Sequence, residues 1–172
     1  VSEREFDIYK RIICVGRLSE EKGYDLLIEA WHKICQKFPE WKIDIYGSGD
    51  NECEILKKIN EKEISNINLK GLTNNVDAEY FKSDFLVLSS RYEGFGMVIT
   101  EAMACGIPAV SFACPCGPKD IIKDSIDGLL VENGNIQELA DKICYLIEHE
   151  DIRKEMGKQA RIDVERFKIE NI

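Results

Sequence analysis

Several common signatures are missing from this 172-residue chain, and each omission removes a class of function. No apolar run approaches the ~20 residues needed to cross a bilayer as a helix. No Pro/Gly/Ser-rich linker, repeat or low-complexity tract divides the chain, so it reads as one domain able to bury a sizeable core. Basic residues are the minority, 23 against 32 acidic for a net charge of -9, and are not gathered into stripes with aromatics. That argues against a nucleic-acid partner. Seven cysteines are present, but only Cys114 and Cys116 are close, and no second pair or nearby histidine completes a zinc set. Cys14, Cys35, Cys105 and Cys144 read as buried small hydrophobes. With an odd count and no signal segment, a reducing cytosol is the expected setting. An Asp-x-Asp metal signature is also absent, and no metal site is expected. His32 and His149 fall in helical patterns away from strand ends and receive no catalytic role. Trp31 and Trp41 read as packing the core or its rim.

What is present is a strand–helix rhythm. Short apolar runs near 11–15, 42–46, 67–70, 85–88, 108–112 and 128–131 alternate with helical patterns. The fourth and fifth are continuously apolar, as strands covered on both faces require. The fold class is therefore α/β: a three-layer domain around a mostly parallel sheet of about six strands. Segments from Ile136 to Ile147 and on to Arg161 read as amphipathic helix, and Phe167 to Ile172 as a trailing end.

Two junctions carry candidate chemistry. Phe85-Leu86-Val87-Leu88 leads through Glu93-Gly94-Phe95-Gly96 to Glu101, with helix expected over Ala102-Met103-Ala104-Cys105. This sets Glu93 at a strand's C-terminal edge and Glu101 about two helical turns along, at the edge where open α/β sheets bind ligands. The glycines let backbone approach a ligand, and a helix N-terminus offers free N–H groups to an anion. Read alone, the stretch is equally compatible with a sharp turn and a partly solvated Glu101. The second junction follows Ile12-Ile13-Cys14-Val15, where Gly16, Arg17 and Lys22 precede a helical face of Tyr24, Leu27, Ile28 and Trp31. A five-donor guanidinium and a mobile ammonium suit a diphosphate. In so acidic a chain, only such local cations can hold one.

The ordered set of motifs resembles glycosyltransferase family 4, retaining enzymes with two Rossmann-like domains, and specifically their C-terminal half. The resemblance runs from Arg11 to about Arg161. It comprises Gly16-Arg17-Leu18 with Lys22-Gly23, Ile45-Tyr46-Gly47-Ser48-Gly49, Leu69-Lys70-Gly71, Ser89-Ser90 before Glu93, Glu101 through Val110, and Gly128-Leu129-Leu130-Val131. The Cys114-Pro115-Cys116-Gly117-Pro118-Lys119 turn resembles that of members using UDP-linked hexoses or N-acetylhexosamines.

The resemblance implies that residues 1–172 form the nucleotide-sugar domain, the acceptor-binding N-terminal domain being absent from the chain. It assigns the donor's diphosphate to Arg17 and Lys22, its sugar to Glu93 and its ribose to Glu101. The backbone of Gly94, Phe95 and Gly96 would lie against sugar and phosphate, Gly71 and Leu72 would border the base, and Gly16, Gly47 and Gly49 would line the cleft. The implied reaction is retaining transfer of a hexosyl or N-acetylhexosaminyl group to a glycan or lipid-linked acceptor, with no cofactor and no metal. No nucleophile is identifiable among the residues. The domain by itself would bind donor yet transfer little. A lipid-linked acceptor would bring the full-length protein to the inner face of the plasma membrane. The rival readings are a nucleotide-binding domain of an epimerase or phosphorylase, and a regulatory domain without chemistry. Arg17 and Lys22 joined to Glu93 and Glu101 favour the transferase.

Overall fold

A computed structural model of the protein describes residues 8–168. Six strands form, β1 (Arg11–Val15), β2 (Lys42–Tyr46), β3 (Ile67–Gly71), β4 (Phe85–Leu88), β5 (Ala109–Phe112) and β6 (Leu129–Val131). All their pairings are parallel, in the order β3-β2-β1-β4-β5-β6. β4 and β5 are buried at every position, whereas the edge strand β3 exposes most of its residues. This is why β4 is an unbroken apolar run, β5 is apolar except for Ser111, whose hydroxyl donates to the Phe112 carbonyl, and β3 carries Asn68 and Lys70.

Five α-helices connect the strands, α1 (Tyr24–Ile34), α2 (Glu52–Glu61), α3 (Val76–Phe81), α4 (Met97–Ala104) and α5 (Pro118–Ile121), and two more, α6 (Ile136–Glu148) and α7 (Glu150–Asp163), follow β6. None is long and apolar enough to cross a membrane among the described residues. One sheet face is covered by Leu27, Ile28 and Trp31 of α1, Ile55 and Ile59 of α2, and Leu139 and Ile143 of α6. The other is covered by Tyr80 of α3, Ile99 and Met103 of α4, and Ala160 of α7. Leu27, Ile28 and Trp31 are wholly buried, which for the two aliphatic residues is worth about 1.5–3 kcal/mol each.

Strand order puts β1 beside β4, and their following segments diverge to opposite faces. That makes a topological switch point, with a crevice at the strand C-termini. The two segments come very close there. A Cβ on Gly23, the left-handed residue that opens α1, would lie 1.9 Å from the Ser89 carbonyl oxygen. Only glycine lets α1 start against the end of β4.

Three sequence expectations need correction. Cys35 and Cys144 are only partly buried, although Cys14 and Cys105 are core residues. Cys35 caps the C-terminus of α1 and Cys144 lies within α6 beside its buried Ile143, positions where helical periodicity does not separate a core residue from its border. Phe167 does not trail off. Val164–Phe167 form a 3-10 turn, and the Phe167 ring meets Phe95 edge-on at 5.6 Å. Residues 169–172 of that expected tail lie outside the described residues. Finally, α4 begins at Met97, so Glu101 is little more than one turn into the helix. The apolar Met97–Ile99 can enter the helix directly after Gly96, and the turn is shorter than its glycines suggest.

Candidate functional site

Gly16, Gly47 and Gly71 stand at the C-terminal ends of β1, β2 and β3, and Glu93 follows β4 on the same rim. The three glycines are stitched laterally: Gly16 N–H donates to the Tyr46 carbonyl at 3.0 Å, and Gly47 N–H to the Gly71 carbonyl at 2.9 Å. A Cβ at Gly47 would sit 2.0 Å from the Gly16 carbonyl oxygen. The turns after β1 and β2 are thus layered backbone on backbone. They enclose a cavity of about 530 Å³ whose wall includes Gly16, Arg17, Tyr46, Gly47, Gly49 and Leu72. That volume falls in the range of small-molecule sites. Arg17 is exposed at its mouth, with no side-chain partner among the described residues.

Lys22 and Glu93 are not in that wall. They form an ion pair at the switch point, Nζ to Oε1 at 2.7 Å, with side chains 24% and 8% exposed. The Lys22 stem lies over Gly16, its Cδ 3.4 Å from where a Cβ would be. Ser90 Oγ donates to the same Glu93 oxygen at 2.7 Å. A neutralised carboxylate can thus remain nearly buried.

The loops that carry this pair are clasped together. Ser89 Oγ donates to the Lys22 carbonyl at 3.0 Å, and Arg91 N–H to the Glu21 carbonyl at 2.8 Å. The Arg91 guanidinium spans Asp25 at 2.9 and 2.6 Å and also reaches the Glu20 carbonyl at 2.7 Å. Burial pushes the Asp25 carboxyl up, but the Arg91 fork outweighs it and holds the group below the usual carboxylate range. A bidentate pair of this geometry locks the switch point mechanically.

Glu101 is separately anchored: Tyr80 Oη donates to its Oε2 at 3.1 Å. Gly94 and Phe95 are exposed, and Gly96 is buried beneath the start of α4. The structure therefore groups Gly16, Arg17, Gly47, Gly49 and Leu72 in one wall. It places Gly71 beside that wall, and pairs Lys22 with Glu93 next to it.

Ser90 and Tyr80 hold the two glutamates, a role that residue order alone does not reveal. Ser90 belongs to the Ser89-Ser90 motif, but residue order does not mark which of the two hydroxyls faces Glu93. Tyr80 gave no signal beyond an aromatic in a helical pattern. Cys114, of the turn after β5, is wholly buried, and burial together with the Glu93 charge pushes its thiol up.

A sequence model described as glycosyl transferases group 1 matches residues 2–163. The chain belongs to the group 1 glycosyl transferases. A poly(ribitol-phosphate) α-N-acetylglucosaminyltransferase of Staphylococcus aureus is 34% identical over 171 residues, covering 98% of this chain and 35% of that protein. The crystal structure of an S. aureus TarM variant with fondaparinux, α-GlcNAc-glycerol and UDP matches with a TM-score of 0.94 at 34% identity. It covers 99% of this chain and 35% of that one. The C-terminal domain of LpcC, a group 1 family glycosyl transferase from Francisella tularensis, matches with a TM-score of 0.84 at 28% identity, over 92% of this chain and 86% of that one. The chain spans less than half the length of the curated relatives it matches.

This group 1 glycosyl transferase chain has the Rossmann-like layout of one half of the two-domain GT-B architecture. Among its described residues, no three His, Cys, Asp or Glu side chains gather into a metal-holding group. The cations at the rim, Arg17 and Lys22, differ in state: among the described residues Arg17 is exposed with no side-chain partner, whereas Lys22 is committed to Glu93.

Proposed function

We propose that this chain is the donor-binding, C-terminal domain of a retaining glycosyltransferase. The enzyme would move a hexosyl or N-acetylhexosaminyl group from a UDP-linked donor to a glycan or lipid-linked acceptor. The observation that carries the reading is the Lys22–Glu93 pair at the β1–β4 switch point, beside the glycine-walled cavity that Arg17 overlooks. A diphosphate needs cations, and a sugar needs an acceptor carboxylate within reach of them. Here both are adjacent. The S. aureus relative named for N-acetylglucosaminyl transfer and the structural neighbour holding UDP support the donor class, and the LpcC domain supports the C-terminal position.

In this reading the nucleotide enters along Gly16, Gly47 and Leu72, with its diphosphate toward Arg17 and Lys22. The ribose hydroxyls meet Glu101, and the sugar meets Glu93. As the bond from sugar C1 to the diphosphate oxygen breaks, negative charge builds on the leaving group. Arg17, Lys22 and the free N–H groups at the start of α4 then interact more strongly than in the ground state, which lowers the barrier. No protein nucleophile is invoked; the leaving phosphate takes the acceptor's proton. Acceptor binding belongs to a further domain of the full-length protein, which closes over the donor and excludes water. Such positioning is worth ~7–11 kcal/mol, so the domain by itself binds donor and hydrolyses it only slowly. A lipid-linked acceptor would place the full-length enzyme peripherally at the inner membrane face.

Calorimetry with UDP, UDP-glucose and UDP-N-acetylglucosamine tests the assignment. Added affinity from one of the sugars, lost in Glu93→Gln, supports it. Tight UDP binding with no gain from either sugar would instead identify a nucleotide-binding domain without transfer chemistry.

A further inference from the structure

The two glutamates share a design. Each carboxylate has one oxygen held by a buried hydroxyl and the other oxygen free of described partners. Glu101 receives Tyr80 Oη on Oε2, and Glu93 receives Ser90 Oγ on Oε1 together with Lys22 Nζ. Tyr80 and Ser90 are both 0% exposed. Both side chains are held by the frame of the fold: Tyr80 lies in α3, packed among Ile99 and Met103 of α4, and Ser90 stands two residues past the end of β4. A hydroxyl buried this deeply points one way only, and the carboxylate it meets is held in one rotamer. Burial and the Glu101 charge also push the Tyr80 phenol well up, so it remains a donor throughout the working pH range.

We infer that Tyr80 and Ser90 are positioning residues. Tyr80 aims the free oxygen of Glu101 at the ribose hydroxyls, and Ser90 aims the free oxygen of Glu93 at the donor sugar. The inference rests on the donor-site reading above and adds two residues that never touch the ligand. Its consequence is a division of labour. Losing the Tyr80 hydroxyl must be felt by every nucleotide that carries a ribose, and losing the Ser90 hydroxyl only by ligands that carry a sugar. Neither hydroxyl contributes a ligand contact of its own, so each effect must vanish when the matching ligand group is removed.

Calorimetry on Tyr80→Phe, Ser90→Ala and Glu101→Gln with UDP, 2′-deoxy-UDP, 3′-deoxy-UDP, UDP-glucose and UDP-N-acetylglucosamine tests this, with thermal melts to show that each variant is folded. Tyr80→Phe is expected to weaken UDP and both UDP-sugars alike, by about three- to tenfold. Against at least one deoxy analogue, its effect should fall to less than about twofold, as expected of a coupled pair. Ser90→Ala is expected to leave UDP within about twofold while cutting the gain from the preferred sugar by about three- to tenfold. If both variants weaken every ligand equally, deoxy analogues included, the hydroxyls are merely structural and the inference is overturned. If Glu101→Gln couples to a ribose hydroxyl but Tyr80→Phe does not, the positioning role fails while the donor site stands. If Glu101→Gln itself shows no coupling, the assignment of Glu101 to ribose fails, and the Tyr80 role with it.

Discussion

Replacing Lys22 with Met separates what the lysine does for the fold from what it does for a ligand. Met retains most of the stem over Gly16 and removes the charge 2.7 Å from Glu93. Glu93 is then a carboxylate with its side chain only 8% exposed, supported by Ser90 alone. Stranding such a group costs about 1.5–3 kcal/mol, less than for a fully buried pair because Lys22 reaches solvent. In a domain of this length that is a Tm lower by roughly 5–10 °C. Glu93→Gln keeps a Ser90 acceptor and frees Lys22, already 24% exposed, to turn outward, at a cost near 1 kcal/mol. The double variant has no stranded charge, so its loss should undercut the sum of the singles by ~1–2 kcal/mol. UDP affinity should not recover with stability: both Lys22→Met and the double variant should bind UDP ~10–100-fold more weakly than the parent. Denaturation and calorimetry on the four proteins complete the cycle. Additive stability losses would show that the ion pair is idle in the fold. Parental UDP affinity in the double variant would refute the diphosphate role of Lys22.

Arg17→Ala should weaken UDP by a similar ~1.5–3 kcal/mol while moving Tm by no more than about 1–2 °C, since the exposed guanidinium has no described partner to strand; unchanged UDP binding would remove Arg17 from the site. Glu101→Gln should lower affinity for UDP and UDP-sugar together, whereas Glu93→Gln should leave UDP nearly unchanged and lower kcat/KM of the full-length enzyme; equal UDP losses in both would show Glu93 misassigned. Turnover by the full-length enzyme should persist in EDTA, and strict dependence on a divalent ion would contradict a diphosphate site built from Arg17 and Lys22. The last prediction concerns stability against pH. Burial, with Asp163 alongside, pushes the Asp127 carboxyl up from 3.8 to about 6. Its folded state therefore favours the proton, and its contribution is present below about pH 4 and lost as pH rises through about 6. Asp127→Asn keeps an acceptor for Lys123 N–H and supplies a donor toward Asp163, so it should exceed the parent by ~1–3 kcal/mol at pH 8 and flatten the pH 4–6 slope. A variant that melts below the parent at pH 8 with the same slope would refute the upward shift of the Asp127 carboxyl.

Much of this protein was legible in one dimension. The apolar runs at 11–15, 42–46 and 85–88 coincide with β1, β2 and β4, and the other three differ from β3, β5 and β6 by a residue. Backbone periodicity and burial on both faces are local properties, written directly in residue order. So are the glycine turns, because close approach at Gly23 and Gly47 tolerates no side chain. Motif order likewise identified the family.

What residue order could not express was which groups meet. Lys22 and Glu93 are 71 positions apart, and become partners because the topology lays β1 beside β4. Tyr80 reaches Glu101 only through the packing of α3 on α4. Arg11, inside an apolar strand, is buried with Asp44 at 2.6 Å and Glu79 at 2.9 Å, alongside Tyr46. Asp127, in a loop, meets Asp163 at the end of α7, and burial together with that neighbour pushes its carboxyl up. In each case the partner is a polar group whose value depends on desolvation and on distances of about 3 Å. Apolar patterning decides which face turns inward, because hydrophobic burial is non-directional and tolerates many partners. Hydrogen bonds and ion pairs do not, and only the closed tertiary structure selects them.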